Sequence, residues 1–212
     1  MIESILPAAA RAVHSFTDRM DFVLSPREAA LVARAAHKRR AEFTTVRACA
    51  HDALTALGVA PAPLLPDERG APGWPPGVVG SMTHCAGYRA AAVAHAHRIT
   101  ALGIDAEPDS PLPEGVLGEI ARPEEVTALA ALPSDGPAWD RLLFSAKESV
   151  YKAWYPVTRR WLDFHEASLD LSPDGTFTAR VLVAAPPELA CLRGRWAAGG
   201  GHVVTAVVAE RD

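Results

Sequence analysis

Apolar positions recur along this chain in two rhythms, one helical and one of strands. Ser25-Pro26-Arg27-Glu28 has the spacing of a capping box with proline at the first helical position, so a helix is expected from there to about Ala36. Phe43, Val46, Ala50, Ala53, Leu54 and Leu57 then recur at helical spacing from about Arg40 until Gly58 stops them. Residues 59–77 are rich in proline and glycine and read as a loop. Three strands are expected next, Val78–Met82, Tyr88–His95 and Ile99–Ile104, with turns at Ala86-Gly87 and His97-Arg98 and antiparallel pairing as the economical arrangement.

Leu112–Leu132 reads as a short helix followed by a longer one that Pro123 begins. The longest helix is expected from about Pro137 to Tyr155, ended by Pro156, with Trp139, Leu142, Leu143, Ala146, Val150 and Trp154 as its apolar stripe. Phe164–Leu171, Thr176–Val183 and His202–Ala209 alternate or run apolar, and Ser172-Pro173-Asp174-Gly175 turns the chain between the first two. The pattern is α+β, with one strand group before the long helix and one after it. No sequence repeat at a solenoid period is visible.

Composition narrows the class. Nearly half of the 212 residues are hydrophobic and 22% are charged, which describes a folded globular chain able to bury a real core. A net charge of −4 argues against a general nucleic-acid binder, so any phosphate recognition must be local. Cys49, Cys85 and Cys191 are odd in number and widely spaced, as reduced cytosolic thiols are. The first residues lack a basic start and a long apolar core, and no stretch reaches the roughly 20 apolar residues of a membrane span. The expectation is a monomeric cytoplasmic protein that binds neither membrane nor nucleic acid.

Two clusters carry chemistry. In Gly103-Ile104-Asp105-Ala106-Glu107 two carboxylates at i, i+2 follow an apolar run, so on a strand both face one side. In Phe144-Ser145-Ala146-Lys147-Glu148-Ser149-Val150-Tyr151-Lys152, Glu148 and Lys152 stand about 40° apart around a helix and share a face. Either cluster alone has a bland reading: Asp105 and Glu107 as a solvated strand end, Glu148 with Lys152 as an intrahelical ion pair. Together, three acids and a lysine suit a hard divalent cation and a phosphate ester, with Glu148 able to serve as a general base. Arg34, Lys38, Arg39, Arg40 and Arg47 form the one basic patch, opposed by Glu42, and such a cluster grips phosphate monoesters. Thr83 and His84 are placed to hydrogen-bond a phosphate. A Cys85–His84 nucleophile is disfavoured because strand neighbours face opposite ways, and a zinc site from His84, Cys85, His95 and His97 has no recognised spacing. Asp163-Phe164-His165-Glu166 reads as a partly exposed strand end rather than a second metal cluster.

Taken in order, the Arg-rich helix, the RGxPxWPxG loop, GSxTHC, GIDAE and FSAKESVYKAWYP resemble the phosphopantetheinyl transferases of the surfactin-synthetase and enterobactin-synthetase type over roughly Arg34–Tyr155. The resemblance implies two similar α/β halves, here 1–108 and 109–212, with a small mainly antiparallel sheet in each and the site between them. It implies transfer of the 4′-phosphopantetheine arm of coenzyme A to a serine of an apo acyl or peptidyl carrier protein, with Mg²⁺ or alternatively Mn²⁺, releasing adenosine 3′,5′-bisphosphate. Asp105, Glu107 and Glu148 would then be the metal acids and Glu148 also the base. Lys152 would steady the pyrophosphate and its leaving group with Lys147 nearby, Arg39, Arg40 and Arg47 would hold the 3′-phosphate, and Arg69, Thr83 and His84 would contact phosphates of the coenzyme A. Phe144 departs from the tryptophan of many relatives, and Ala106 offers no ligand between the acids. The competing expectations are a Mg²⁺-dependent nucleotide phosphohydrolase and a non-catalytic coenzyme A-binding module.

Overall fold

Two antiparallel sheets, each covered by one long helix, account for the chain in the computed structural model, which describes residues 1–211. After a 3₁₀ turn at Ile2–Ile5 come β1 (Ala10–Ser15), α1 (Pro26–Leu31), α2 (His37–Ala56), β2 (Val78–Cys85) and β3 (Tyr88–His95). Then follow β4 (Ile99–Pro108), α3 (Val116–Ile120), α4 (Pro123–Ala130) and α5 (Trp139–Thr158). The chain closes with β5 (Ala167–Ser172), β6 (Thr176–Val181), α6 (Pro187–Ala190), β7 (Cys191–Gly199) and β8 (His202–Glu210). The first sheet has the order β1-β3-β2 and the second β4-β8-β7-β6-β5. The fold is α+β in two similar halves, α2 lying on β1 and β3 and α5 on β4 and β8.

Local chemistry sets the boundaries. The capping box forms as its spacing requires: Ser25 Oγ accepts from Glu28 N at 3.3 Å, and Glu28 Oε2 accepts from Ser25 N at 3.2 Å. That helix stops at Leu31 rather than Ala36, and α2 starts at His37 instead of Arg40; the run Ala33-Arg34-Ala35-Ala36 carries no break signal. Pro156 does not end α5. Near the C-terminus it removes a single backbone hydrogen bond, and the helix continues to Thr158 before Arg159 turns left-handed at φ 56.

Pairing differs from the sequential expectation. β2 and β3 make the expected antiparallel hairpin, but β4 leaves them to pair with β8. The change of sheet therefore lies between His95 and Ile99, ahead of the division expected after residue 108. The freed edge of β3 is taken by β1, a strand with no clear alternation, and β7 completes the second sheet. In β7 Leu192 and Gly194 face inward between exposed arginines, and the ring of Phe177 lies over Gly194 where a Cβ would stand.

The halves meet along β2 and β4, joined by hydroxyls rather than a backbone ladder. Ser81 Oγ accepts from Ile104 N at 3.1 Å and Thr83 Oγ1 accepts from Ala106 N at 3.1 Å. On one face of β4, Ile104 and Ala106 enter an apolar cluster with Tyr88, Ala90 and Val204. On the other, Gly103 lets α5 come in: a Cβ there would sit 1.9 Å from the Ser149 carbonyl oxygen. Gly103→Ala should lift α5 from β4 and cost on the order of 3 kcal/mol. Chemical denaturation measures it, and a loss below about 0.5 kcal/mol would mean that the helix tolerates the extra carbon.

Candidate active site

A cavity of about 550 Å³ opens between the halves, walled by α1, α2, residues 66–72, β2 and the second half of α5. Glu148, Tyr151, Lys152 and Tyr155 project into it from one side; Phe43, Arg47 and Arg39 do so from α2, and Arg69 from the loop. Close packing of α5 on β4 positions the first set, because the glycine gap at residue 103 sets the depth at which Ser149, and hence its neighbour Glu148, lies.

Asp105 is the node of the site. It is 4% exposed, and its Oδ1 accepts from Lys152 Nζ at 2.6 Å and from Thr83 Oγ1 at 3.0 Å. One carboxylate oxygen thus binds α5 and β2 to β4. The second oxygen, Oδ2, is buried with no hydrogen-bond partner in the protein, a costly arrangement for a carboxylate unless a ligand completes it. Lys152 pairs with Asp105 rather than along the helix with Glu148, so the bland reading of an i, i+4 ion pair does not describe it.

Glu107, two residues on, accepts from Arg141 Nη1 at 3.0 Å. Burial and the Asp105 charge raise its carboxyl above the usual range despite Arg141 and Lys152. Glu148 is raised too: burial leads, Lys152 opposes, and Asp105 and Glu107 add to the shift. The charge of Asp105 thus acts on both Glu107 and Glu148, and that of Glu107 on Glu148.

The basic residues are resolved into two groups. Arg47 is 6% exposed; it lies over the Phe43 ring at 4.3 Å, with Glu28 Oε1 3.7 Å from its Nε. Burial, partly offset by Glu28, pulls its guanidinium down to about 10, so it remains charged at neutral pH. Arg39 Nη1 stands 2.8 Å from His84 Nε2, and desolvation together with the Arg39 charge pushes that imidazole below its ordinary value. A neutral His84 accepts this bond. Glu28, fully buried, holds the wall together by accepting from Ser25 and Leu64 N and facing His51 at 3.2 Å. Arg34, Lys38 and Arg40 are exposed and lie outside the cavity lining.

Residues 27–94 match the family model for the 4′-phosphopantetheinyl transferase N-terminal domain, and residues 101–207 match that of the 4′-phosphopantetheinyl transferase superfamily. The chain belongs to that superfamily. Among its relatives, the 4′-phosphopantetheinyl transferase Svp of Streptomyces mobaraensis is 58% identical over 98% of this chain and 88% of its own length. PptT of Mycobacterium tuberculosis is 45% identical over 98% of this chain and 97% of its own, and Npt of Nocardia iowensis 44% over 98% and 99%. The protein is a transferase enzyme, and no described helix is long and apolar enough to cross a membrane.

In this transferase the cavity gathers Arg39, Arg47, Arg69, Thr83, His84, Glu148 and Lys152, with Asp105 beneath Lys152. It does not gather Arg40, which the resemblance groups with Arg39 and Arg47. Lys147 also points elsewhere: it is 3% exposed, pairs with Glu125 at 2.8 Å, and donates to the Phe164 and Ala167 carbonyls at 2.7 and 3.1 Å. One position along a helix turns a side chain by about 100°, enough to send Lys147 to Glu125 and the start of β5 while Glu148 faces the cavity. Asp163 and Glu166 spend their carboxylates on capping the 3₁₀ turn Phe164–Glu166. Sequence reasoning overlooked Arg141 and the reach of Glu28; the capping box marked Glu28, whereas nothing in its local pattern marked Arg141.

Among the described residues no three His, Cys, Asp or Glu side chains are grouped closely enough to chelate a metal ion by themselves. The donor chemistry nonetheless suits a hard cation: an orphaned buried oxygen on Asp105 and two neighbouring carboxylates with raised pKa. Lys147→Met should cost about 3 kcal/mol by stranding Glu125, with coenzyme A affinity of the folded protein unchanged within a factor of about three. Calorimetry of unfolding and of ligand binding checks both, and lost affinity at full stability would place Lys147 in the site after all.

Proposed function

We propose that the protein transfers the 4′-phosphopantetheine arm of coenzyme A to a serine hydroxyl of an apo acyl or peptidyl carrier protein, releasing adenosine 3′,5′-bisphosphate. The observation that carries this reading is the single cavity in which Arg39, Arg47 and Arg69 face the same space as Glu148 and Lys152, in a chain of this superfamily. The arginines fit the phosphates of coenzyme A. Arg47 and Arg39 are the choice for the 3′-phosphate, because they reach the cavity and Arg40 does not. Thr83, its hydroxyl already committed to Asp105 and Ala106, holds the floor rather than a phosphate.

In the reaction the serine oxygen forms a bond to the phosphorus next to the pantetheine arm, and the pyrophosphate bridge on the adenosine side breaks. Glu148 takes the serine proton; its raised pKa brings it closer to neutrality than an ordinary glutamate, as a general base requires. Lys152 carries positive charge where the leaving oxygen becomes anionic. Mg²⁺ or Mn²⁺, held by Asp105, Glu107 and Glu148 with phosphate oxygens and water, would supply charge neutralisation and alignment of the pyrophosphate.

The test is intact-mass measurement of apo carrier proteins incubated with the enzyme, coenzyme A and Mg²⁺. Carriers should gain one phosphopantetheine. Glu148→Gln should lower the rate at least about a hundredfold while coenzyme A still binds; Arg47→Ala should weaken coenzyme A far more than dephospho-coenzyme A. The acid limb of kcat/KM should lie above the ordinary glutamate value of about 4.3, activity falling as Glu148 is protonated. Phosphate release with no acceptor would instead indicate a phosphohydrolase, and undiminished transfer by Glu148→Gln would remove the base.

A further inference from the structure

We propose that Arg141 is a resident counter-cation that neutralises Glu107 in the free protein and yields it only when a divalent cation and the pyrophosphate arrive together, so that metal and coenzyme A bind as coupled ligands. This rests on reading Asp105, Glu107 and Glu148 as the metal acids. All three guanidinium nitrogens of Arg141 are engaged: Nη1 with Glu107 at 3.0 Å, Nε with the Ser110 carbonyl at 3.0 Å and Nη2 with the Pro111 carbonyl at 3.1 Å. Two of those bonds do not involve Glu107, so the charge stays beside the site when the carboxylate turns away.

The charge balance gives the coupling its sign. Lys152 on Asp105 and Arg141 on Glu107 leave the three acids with a single net negative charge. A divalent cation entering alone would make the locus net positive and must displace Arg141 from a half-buried carboxylate to do so. Entering with an anionic pyrophosphate, it leaves both resident cations a new partner. A ligand that supplies that partner must raise metal affinity, and by linkage the metal raises affinity for that ligand by the same factor. The loop beyond Glu107 does not depend on Arg141 alone, since Asp140 Oδ2 accepts from Leu112 N at 2.8 Å and Asp109 Oδ1 from Ala138 N at 2.8 Å.

Mn²⁺ binding followed by electron paramagnetic resonance at about pH 8, where glutamate is ionised, tests this without carrier or turnover. In the wild-type protein coenzyme A should tighten Mn²⁺ about tenfold or more, after correction for Mn²⁺ held by free coenzyme A. In Arg141→Gln the free protein should bind Mn²⁺ several-fold tighter, and the coenzyme A effect should shrink by the same factor. Wild-type affinity that coenzyme A leaves unchanged would overturn the proposal whether or not the variant folds. So would Arg141→Gln matching wild type, or Asp140→Ala, which loosens the loop without touching Glu107, reproducing the Arg141→Gln effect. No Mn²⁺ binding to wild type under either condition would overturn the metal reading itself, and the proposal with it.

Discussion

One buried carboxylate organises this molecule. Asp105 lies on the edge strand of the second sheet, accepts from a threonine of the first sheet, and accepts from a lysine of the long helix, all through one oxygen. A buried acid must be paired or it will not stay charged, so each of these contacts is a condition of the others. The requirement fixes how the halves meet: β2 and β4 run side by side on hydroxyl bonds, and α5 lies close enough for Lys152 to reach across. The unpartnered second oxygen is what remains for a ligand.

Around that node the structure balances repulsion with resident cations. Glu107 and Glu148 both have raised pKa with Asp105 contributing to each, and Lys152 and Arg141 pair with two of these three acids. A site so poised suits charge that arrives with the substrate. On the opposite wall Arg47 is buried against an aromatic ring and backed by Glu28 from below, which holds a long flexible cation in place at the cavity. Glu28 itself begins as a helix cap, so a local folding signal also braces a cation of the cavity wall.

Much of this was legible in the sequence. The capping box, the β2–β3 hairpin, the long amphipathic helix and the shared face of Asp105 and Glu107 follow from short-range rules, and the structure contains each of them. What was not legible depends on partners distant in sequence. β4 abandons its neighbour for β8 because both are buried strands that complement each other across the fold, which no local alternation announces. β1 and β7 were overlooked because alanine, glycine and arginine dilute their alternation. The resemblance carries Lys147 and Arg40 toward the site by motif position alone, and a position in a motif does not say which neighbour its helix face meets. Arg141 pairs with a residue 34 positions away, beyond any window in which spacing carries information.

The rate of phosphopantetheine transfer by Asp105→Asn measures how far the site depends on that one buried charge. The substitution keeps the shape and the hydrogen-bond acceptor for Thr83 and removes only the charge. If that charge is what holds Lys152 and completes the site, the variant should fold, as its circular dichroism will show, and transfer should fall by at least about a hundredfold. A folded Asp105→Asn enzyme that transfers within about threefold of the wild-type rate would contradict the account.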